Sequence, residues 1–328
     1  MHYIYQIDIL LNYIYKINMT IQQLTYVVAL DNHRHFVKAA ESCHVAQPTL
    51  TLQVKKLEEQ MALMLFDRSS QPLKPTPMGE IFIQKAREIL GEIQLLKAMV
   101  NDERNLMNGT FRVGIIPTLA PYLLPLFIKE FLAQFPEIKL EIQELKSNDI
   151  ITKLEKDLLD IGLLATPLNE NNIREITLFY EPFLVYTDDK DTLIHNDEKI
   201  HASDLTPEGL WLLGQGHCFR NHTLNVCEFD TLDYNRNLFM EGGSIETLKK
   251  MIKEISGYTL IPELSYSKHT DQENTIRFEE PQPVREISIV THKNFTRERL
   301  ISELRKSILE HTPKSFKKNT RFVKVKWR

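Results

Sequence analysis

The sequence predicts an α/β fold in which a helical N-terminal part precedes a larger domain of alternating strands and helices. Apolar residues recur at helical spacing through residues 19–107. After Asn108-Gly109 the period changes, and short apolar runs typical of strands alternate with helical segments. The 328 residues suffice for about two domains. With 42% hydrophobic and 26% charged residues, the composition excludes wholesale disorder, collagen and a small disulfide scaffold.

Charge and cysteine content restrict the environment of the protein. Forty basic and 44 acidic residues give a net charge of −4, which excludes a uniformly basic nucleic-acid coat but leaves a local basic face open. The chain has three cysteines, Cys43, Cys218 and Cys227. This sparse and odd count argues against a secreted disulfide framework. This cysteine count suits a reducing cytoplasm, so we expect a cytoplasmic protein. No segment has the about 20 apolar residues of a membrane span, so we expect no membrane partner.

Residues 1–18 resemble neither a signal peptide nor a membrane span. Asp8, Asn12 and Lys16 interrupt the apolar run, and no A-x-A cleavage site follows it. Met19 then opens a clean amphipathic segment. We expect residues 1–18 to be an extension upstream of a misassigned start, with an anchor helix as the alternative.

Residues 19–77 are predicted to form three short helices and a two-stranded wing. The small residues Ala39 and Ala40 allow the second and third helices to cross closely, and Pro48 is tolerated in the first turn of the third. The apolar run and the Ser/Gln/Pro/Lys turn in LMLFDRSSQPLKPTPMG are typical of a small wing. This spacing indicates a helix-turn-helix, in which the second helix of the motif enters the major groove of DNA.

The candidate DNA contacts follow from that arrangement. A glutamine side chain can pair with adenine, threonine and glutamine can bond bases or phosphates, and an arginine at the start of the wing suits phosphate or the minor groove. Because residues 19–80 carry six basic and six acidic residues, a three-helix interaction module stays open as the alternative. The candidate contacts are Gln47, Pro48, Thr49, Thr51, Gln53 and Arg68.

Residues 78–107 are predicted to form one long helix with an apolar seam. The seam residues are spaced 4, 3, 4, 3 and 4 apart, which is the pattern of a coiled coil over about three heptads. We expect this helix to dimerise, and the alternative is a core helix of a globular domain. The seam consists of Phe82, Ala86, Ile89, Ile93, Leu96 and Val100.

The remaining chain divides into a β-α-β domain and a basic tail. Repeated β-α-β units from residue 108 predict a mostly parallel sheet covered on both faces, and FLVYT near 183–187 is predicted to begin a second, similar unit. Residues 313–328 carry seven basic residues and no acid. We expect this tail to be a solvated, mobile terminus, with phosphate contact as the alternative.

Four features follow one another along the chain: the run HRHFVKAAESCHVAQPTLTLQVKKLEEQ, the sequence LFDR, the long helix and the β-α-β domain. In this combination the chain resembles the LysR-type transcriptional regulators. The resemblance covers nearly all of residues 19–310, although Ala62 stands where the family usually has glycine. It implies a winged helix-turn-helix at 19–77, a linker and dimerisation helix at 78–107, and a periplasmic-binding-protein-like effector domain at 108–312.

The same resemblance implies how the protein is organised and what it binds. The effector domain would have two subdomains, residues 108–181 with 280–312, and residues 182–279. The protein would form a homo-oligomer, a dimer through the linker helix and a tetramer on double-stranded DNA, and would contact RNA polymerase when activating. It would be a regulator and not an enzyme, and it would need no metal and no organic cofactor.

A short segment reads Gly216-His217-Cys218-Phe219-Arg220, and Cys227 follows Cys218 by nine residues. This pattern resembles the members of the family that sense hydrogen peroxide. The resemblance implies that Cys218 is the peroxidatic cysteine, that Cys227 resolves it, and that oxidation activates oxidative-stress genes. Asn221 replaces an acidic residue of those members, and Ser147 replaces a threonine. The implied pocket residues are Thr118, Ser147, His217 and Arg220.

The chemistry of this cysteine pair indicates a switch. Peroxide reacts with a thiolate, and His217 and Arg220 would lower the pKa of Cys218 if they point inward. The sulfenic acid formed first condenses with a second thiol, for which Cys227 is the candidate. If residues 218–227 are helical, the two thiols lie on opposite faces about 13 Å apart. A disulfide needs Cα atoms within roughly 7 Å, so the segment would have to unwind.

Other functions of the cysteines stay open from the residues alone. Cys218 and Cys227 could be core residues of a regulator that binds a small metabolite between its subdomains, or belong to a thiol peroxidase. A zinc site with His217 and His222 lacks the close C-x2-4-C pairing of structural sites. Cys43 lies in an apolar stripe and is expected to be an inert core thiol.

Overall fold

The computed structural model describes residues 19–103, 107–189, 193, 199–229, 242–317 and 322–327. The extension predicted at residues 1–18 lies outside these ranges. The chain divides after residue 104 into two compact units, which are described in turn. No helix in the described part of the chain is long and apolar enough to cross a membrane.

The first unit is a winged helix-turn-helix followed by a long helix, as predicted. The first helix begins at a capping box, in which the Thr20 hydroxyl accepts from the backbone N–H of Gln23 and the Gln23 side chain accepts from that of Thr20. The two short strands of the wing pair antiparallel. The elements are α1 (Ile21–His33), α2 (Phe36–Ser42), α3 (Gln47–Met61), β1 (Phe66–Asp67), β2 (Lys74–Pro75) and α4 (Pro77–Glu103).

The apolar face of α3 is buried against the other helices of this unit. Leu50, Val54 and Leu57 lie at helical spacing on this face and are fully buried. Ala39 and Ala40 of α2 lie in the same core, where their small side chains permit close contact. The opposite face of α3 therefore stays exposed.

The predicted seam of α4 is divided between two environments. Ala86 is buried against Leu24 and Val28 of α1. Ile89 and Leu96 are 43% and 64% exposed. The side chain of Val100 lies outside the described residues, as do residues 104–106. The predicted end of the helix at residue 107 is wrong, because residue 107 is described and is not helical. The first part of the seam thus packs within the chain, and Ile89 and Leu96 beyond it are exposed.

The second unit contains one curled sheet with helices on its faces. The elements of the second unit are β3 (Gly109–Ile115), α5 (Ala120–Gln134), β4 (Ile138–Glu144), α6 (Ser147–Glu155), β5 (Ile161–Thr166), β6 (Ile173–Thr187), β7 (Lys199–Ile200), α7 (Cys218–Val226), α8 (Ile245–Ile255), β8 (Tyr258–Pro262), α9 (Lys268–Asp271), β9 (Thr275–Phe278), β10 (Gln282–His292), α10 (Glu298–His311) and β11 (Phe322–Lys324). The strand order is β4-β3-β5-β10-β6-β9-β7, with β8 paired to β6 and β11 paired to β10.

The strand directions correct the prediction of a mostly parallel sheet. β3 is parallel to β4 and β5, as predicted, but β10 is antiparallel to both β5 and β6, and β8 is antiparallel to β6. The segment FLVYT does not begin a new strand, because it is the end of the 15-residue strand β6. The chain passes from one half of the sheet to the other along β6 and returns along β10, so these two strands must run in opposite directions.

Two hydrophobic cores fill the second unit, and α7 contributes to both. One core surrounds β3, β5 and β10, and the other lies between β8, α8 and the end of β6. Cys218 at the start of α7 belongs to the first core, and Cys227, directly after α7, belongs to the second. A change in α7 therefore affects the packing of both cores.

The prediction of a solvated, mobile C-terminal tail is wrong for residues 313–317 and 322–327. β11 pairs in parallel with β10. Phe316 is buried, and Trp327 is only 6% exposed. Val325 and Trp327 point inward while Lys324 and Lys326 are exposed, which is the period-2 pattern of a strand. The count of positive charges concealed this alternation.

A buried thiol and an exposed helix face as candidate functional sites

Three predicted site residues come together where strands of the second unit end. Cys218 is the first residue of α7, Ser147 is the first residue of α6, and Thr118 lies between β3 and α5. All three side chains are buried. Thr118 follows the carboxyl end of β3 and Ser147 that of the parallel strand β4, which is where open α/β sheets form binding crevices.

The positive charge at this site comes from Arg285, which the sequence analysis missed. Its guanidinium is fully buried on β10 and donates from Nε to Glu181 Oε2 at 2.8 Å. Nη1 donates to Thr118 Oγ1 at 2.9 Å, and Nη2 donates to the Thr118 carbonyl oxygen at 3.1 Å. The guanidinium carbon lies 5.3 Å from the ring centroid of Phe219. These contacts fix the cation beside the first turn of α7.

The pKa of the Cys218 thiol results from opposing effects. Burial is the largest and raises the pKa above its ordinary value. The Ser147 hydroxyl, the charge of Arg285 and the backbone N–H groups of Phe219 and Cys218 act in the other direction, because each stabilises a thiolate. The net pKa is raised, so the resting thiol is protonated and not the low-pKa thiol that flanking His217 and Arg220 would create.

The hydroxyl of Ser147 lies beside the Cys218 thiol. Ser147 Oγ is buried, and no hydrogen bond of good geometry reaches it within the described residues. Buried polar groups without such a bond are uncommon, and a catalytic role is one of the reasons for which they occur. Ser147 therefore provides a donor and an acceptor next to Cys218.

His217 and Arg220 have surroundings that differ from the prediction. The ring of His217 lies against Gly243, since a Cβ added there would come within 2.5 Å of His217 Cε1. Burial and the nearby Lys146 both lower the pKa of His217, which favours its neutral form. Arg220 Nη1 donates to the Leu213 carbonyl oxygen at 3.0 Å. The largest charge effect on the Cys218 thiol comes from Arg285 instead.

The predicted separation of Cys218 and Cys227 by a helix is confirmed. α7 spans Cys218–Val226, and Cys227 caps its end. Nine residues of helix span about 13 Å, well beyond the reach of a disulfide. Both cysteines are free thiols, as is Cys43. Burial raises the pKa of Cys227 to about 12, so this thiol is unreactive where it lies.

His222 is the second buried group that sequence reasoning missed as part of this site. It lies in the middle of α7 and is fully buried, 5.5 Å from the ring centroid of Phe183. Neither ring nitrogen has a hydrogen bond of good geometry among the described residues. Burial, and then the charge of Arg285, lower its pKa to about 3. Within the described ranges, no group of three or more His, Cys, Asp or Glu residues is placed to hold a metal ion.

The candidate DNA contacts lie mostly on the exposed face of α3. Gln47, Pro48 and Thr49 are exposed in its first turn. Thr51 Oγ1 donates to the Gln47 carbonyl oxygen at 2.9 Å, and Gln53 Oε1 accepts from Gln23 Nε2 at 3.3 Å. The first turn of α3 is therefore the most exposed part of the predicted contact surface on this helix. Leu52, 64% exposed on the same helix, was not predicted and suits contact with a thymine methyl group.

Arg68 at the wing has a structural partner. Its Nη2 lies 2.7 Å from Oε2 of the buried Glu58 on α3. Glu58 Oε1 also accepts from the backbone N–H groups of Leu65 and Phe66, at 2.8 and 3.3 Å. This carboxylate joins the wing to α3, and the half-exposed guanidinium of Arg68 extends from that junction.

The fold and its sites define a DNA-binding regulator that carries a separate sensing domain. Residues 21–80 match the family model "Bacterial regulatory helix-turn-helix protein, lysR family", and residues 104–313 match the model "LysR substrate binding domain". The chain belongs to the LysR family of transcriptional regulators, which are DNA-binding proteins and not enzymes.

Several proteins similar to this chain have names that refer to hydrogen peroxide or to OxyR. The hydrogen peroxide-inducible genes activator of Pectobacterium carotovorum subsp. carotovorum is 34% identical, over 89% of this chain and 97% of its own length. The DNA-binding transcriptional dual regulator OxyR of Escherichia coli (strain K12) is 34% identical, over 83% of this chain and 89% of its own. A full-length OxyR variant from Pseudomonas aeruginosa superimposes with a TM-score of 0.75 at 32% identity, covering 90% of this chain and 99% of that one.

Proposed function

We propose that this protein is a cytoplasmic transcription activator that senses hydrogen peroxide through Cys218 and Cys227 and switches on oxidative-stress genes. One observation carries the proposal: a buried thiol at the first turn of a helix, beside a fixed cation and the hydroxyls of Thr118 and Ser147, with a second thiol at the far end of the same helix. The similar activators named for hydrogen peroxide support it.

The first step oxidises Cys218. Its thiolate attacks one oxygen of hydrogen peroxide, the O–O bond breaks, and the departing hydroxide takes up the thiol proton to leave as water. The sulfur becomes a sulfenic acid. Arg285 and the hydroxyls of Thr118 and Ser147 hold the two peroxide oxygens and stabilise the negative charge on the leaving one. His217 and Arg220 stay predicted members of this site, and their described contacts are with Gly243 and with the Leu213 carbonyl oxygen.

The second step forms the disulfide. The Cys227 sulfur attacks Sγ of the Cys218 sulfenic acid, and the hydroxide displaced from that sulfur leaves as water with the Cys227 proton. The two sulfurs meet only when α7 unwinds, because the helix holds them about 13 Å apart. A local covalent change thereby selects between two conformations, as a redox switch requires.

The conformational change is transmitted to DNA through an oligomer. The exposed Ile89 and Leu96 of α4 suit a dimer seam, and pairs of dimers form the tetramer. The first turn of α3, with Gln47, Pro48 and Thr49, reads bases in the major groove of double-stranded DNA, and Thr51, Gln53 and Arg68 add further contacts. RNA polymerase is the partner of the oxidised, activating form.

The decisive experiment counts thiols. The purified full chain carrying Cys43→Ser is titrated with hydrogen peroxide near equivalence, and intact mass and free thiols are measured. We expect the loss of two thiols and of about 2 Da, mapping to a bridge between Cys218 and Cys227. A variant with Cys218→Ser in addition is the matched control and must lose neither.

One alternative has its own supporting observation. The raised pKa of Cys218 is typical of an unreactive core thiol, which favours a regulator that binds a small metabolite between its subdomains. Unchanged thiols at low peroxide equivalents would support this alternative and refute the peroxide proposal.

A further inference from the structure

The last described residues of the chain, 322–327, form a segment that we call the tail strand. Val325 lies in the second core and Trp327 in the first, so the tail strand contacts both. Trp327 Nε1 donates to the Ala165 carbonyl oxygen at 3.1 Å, and Lys324 Nζ lies 2.6 Å from Glu286 Oε2. The tail strand is thus a docked part of the second unit.

The tail strand is also bound to the helix that carries the redox cysteines. Asn221 Nδ2 on α7 donates to the Trp327 carbonyl oxygen at 3.0 Å, and Asn225 Nδ2 donates to the Lys326 carbonyl oxygen at 2.6 Å. The two asparagines are four residues apart, so they share one face only while α7 is helical. The buried ring of His222, which lies between Asn221 and Asn225 in the sequence of α7, is next to the Val325 backbone.

We propose that the tail strand stabilises the helical, reduced conformation of α7 and is released when the disulfide forms. The inference rests on the proposed function, because it concerns the same switch. Unwinding of α7 separates Asn221 from Asn225 and moves His222 away from Val325, so the unwound conformation cannot keep these contacts. Docking and unwinding are then mutually exclusive, and their coupling is reciprocal: the docked strand opposes disulfide formation, and the disulfide favours release.

The first test measures the opening of α7 without any peroxide. The full chain with Cys43→Ser is treated with N-ethylmaleimide under native conditions, and modification of Cys218 and Cys227 is followed by mass. Removing one hydrogen bond by Asn225→Ala should raise the rate about fivefold, and adding Asn221→Ala should raise it further. Lys326→Ala is the matched control, because it keeps the carbonyl acceptor and removes only an exposed side chain. Equal rates in all four proteins would overturn the proposal.

The second test follows the tail strand itself. The chain has two tryptophans, so Trp211→Phe leaves Trp327 as the single fluorescent reporter of docking. Peroxide should shift its emission to longer wavelength as the indole enters water, and Cys218→Ser should abolish the shift. Loss of two thiols without an emission change would refute release. If the thiols do not react, the proposed function fails, and the alkylation rates still decide whether the tail strand stabilises α7.

Discussion

Replacing Arg285 by methionine separates the two tasks that the structure gives this side chain. Its guanidinium neutralises the fully buried Glu181 and supplies positive charge to the Cys218 site. Arg285→Met keeps the bulk and removes the charge. We expect a loss of folding stability and a slower reaction of Cys218 with peroxide.

The size of the stability loss follows from the geometry of the pair. Arg285 Nη2 lies 2.7 Å from Glu181 Oε2, and both side chains are fully buried. At an effective dielectric constant of about 20, two unit charges at that distance attract by about 6 kcal/mol, part of which offsets their desolvation. Removing one partner of a buried pair costs about 3–5 kcal/mol, because the remaining charge stays buried.

The loss should depend on pH with a definite sign. Burial already raises the pKa of Glu181, and without Arg285 that carboxyl is protonated more readily in the folded state. A raised folded pKa means that stability is lost as pH rises, so the cost of Arg285→Met should be larger at about pH 8 than at about pH 5. Urea unfolding at the two pH values measures it.

Glu181→Gln is the matched comparison. It leaves Arg285 unpaired and should destabilise by a similar amount, yet it preserves the cation beside Cys218. Loss of the Arg285 charge removes one of the effects that lower the pKa of Cys218 and so reduces its thiolate, and stopped-flow oxidation should therefore be slower in Arg285→Met than in Glu181→Gln. If the single variant does not fold, Arg285→Met with Glu181→Leu restores stability and still lacks the cation. Equal rates in both single variants, or a normal rate in the double variant, would refute this account.

Three further outcomes are expected. Gln47→Ala should leave unfolding unchanged and reduce discrimination at one base pair by about 1–3 kcal/mol, which binding to a set of base-substituted operators measures. Glu58→Ala should lower the free energy of unfolding by about 2–3 kcal/mol, because two buried N–H groups lose their acceptor, and an unchanged urea midpoint would contradict this. His222 has a pKa of about 3 in the packed helix, beside Arg285 and Cys218, against an ordinary 6.5. The reduced protein should therefore keep its full stability above about pH 6.5 and lose about 2 kcal/mol by about pH 5, a loss that His222→Gln should remove in urea titrations at the two pH values.

The fold and half of the thiol site could be predicted because their signals are local. The helix-turn-helix follows from apolar spacing and from Ala39, Ala40 and Pro48, and the cysteine pair lies within one short segment. Arg285 and Glu181 are 104 residues apart and meet only because β6 and β10 run side by side. One signal was present in the sequence for Glu181, which is the single charged residue of the apolar run 178–186 in β6. Arg285 is followed by a second charged residue, Glu286, so the sequence of β10 does not single it out.

The tail was mispredicted for a different reason. Counting seven positive charges in residues 313–328 describes composition, whereas docking depends on the order of the residues. Val325 and Trp327 alternate with lysines, so one side of the strand is apolar and the other is charged. The alternation over residues 324–327 was the relevant observation, and net charge hid it.

The division of the two thiols between separate cores also determines how the proposed switch returns to its starting state. In the disulfide state, at least one of Cys218 and Cys227 must leave the core it completes in the reduced protein. Conformational free energy is then stored in the oxidised form and is released when the bond is cleaved. Strained disulfides have higher reduction potentials and are readily reduced by cellular dithiols. The packing of the reduced protein thus favours a short-lived signal, because refolding of α7 drives the electron transfer that ends it.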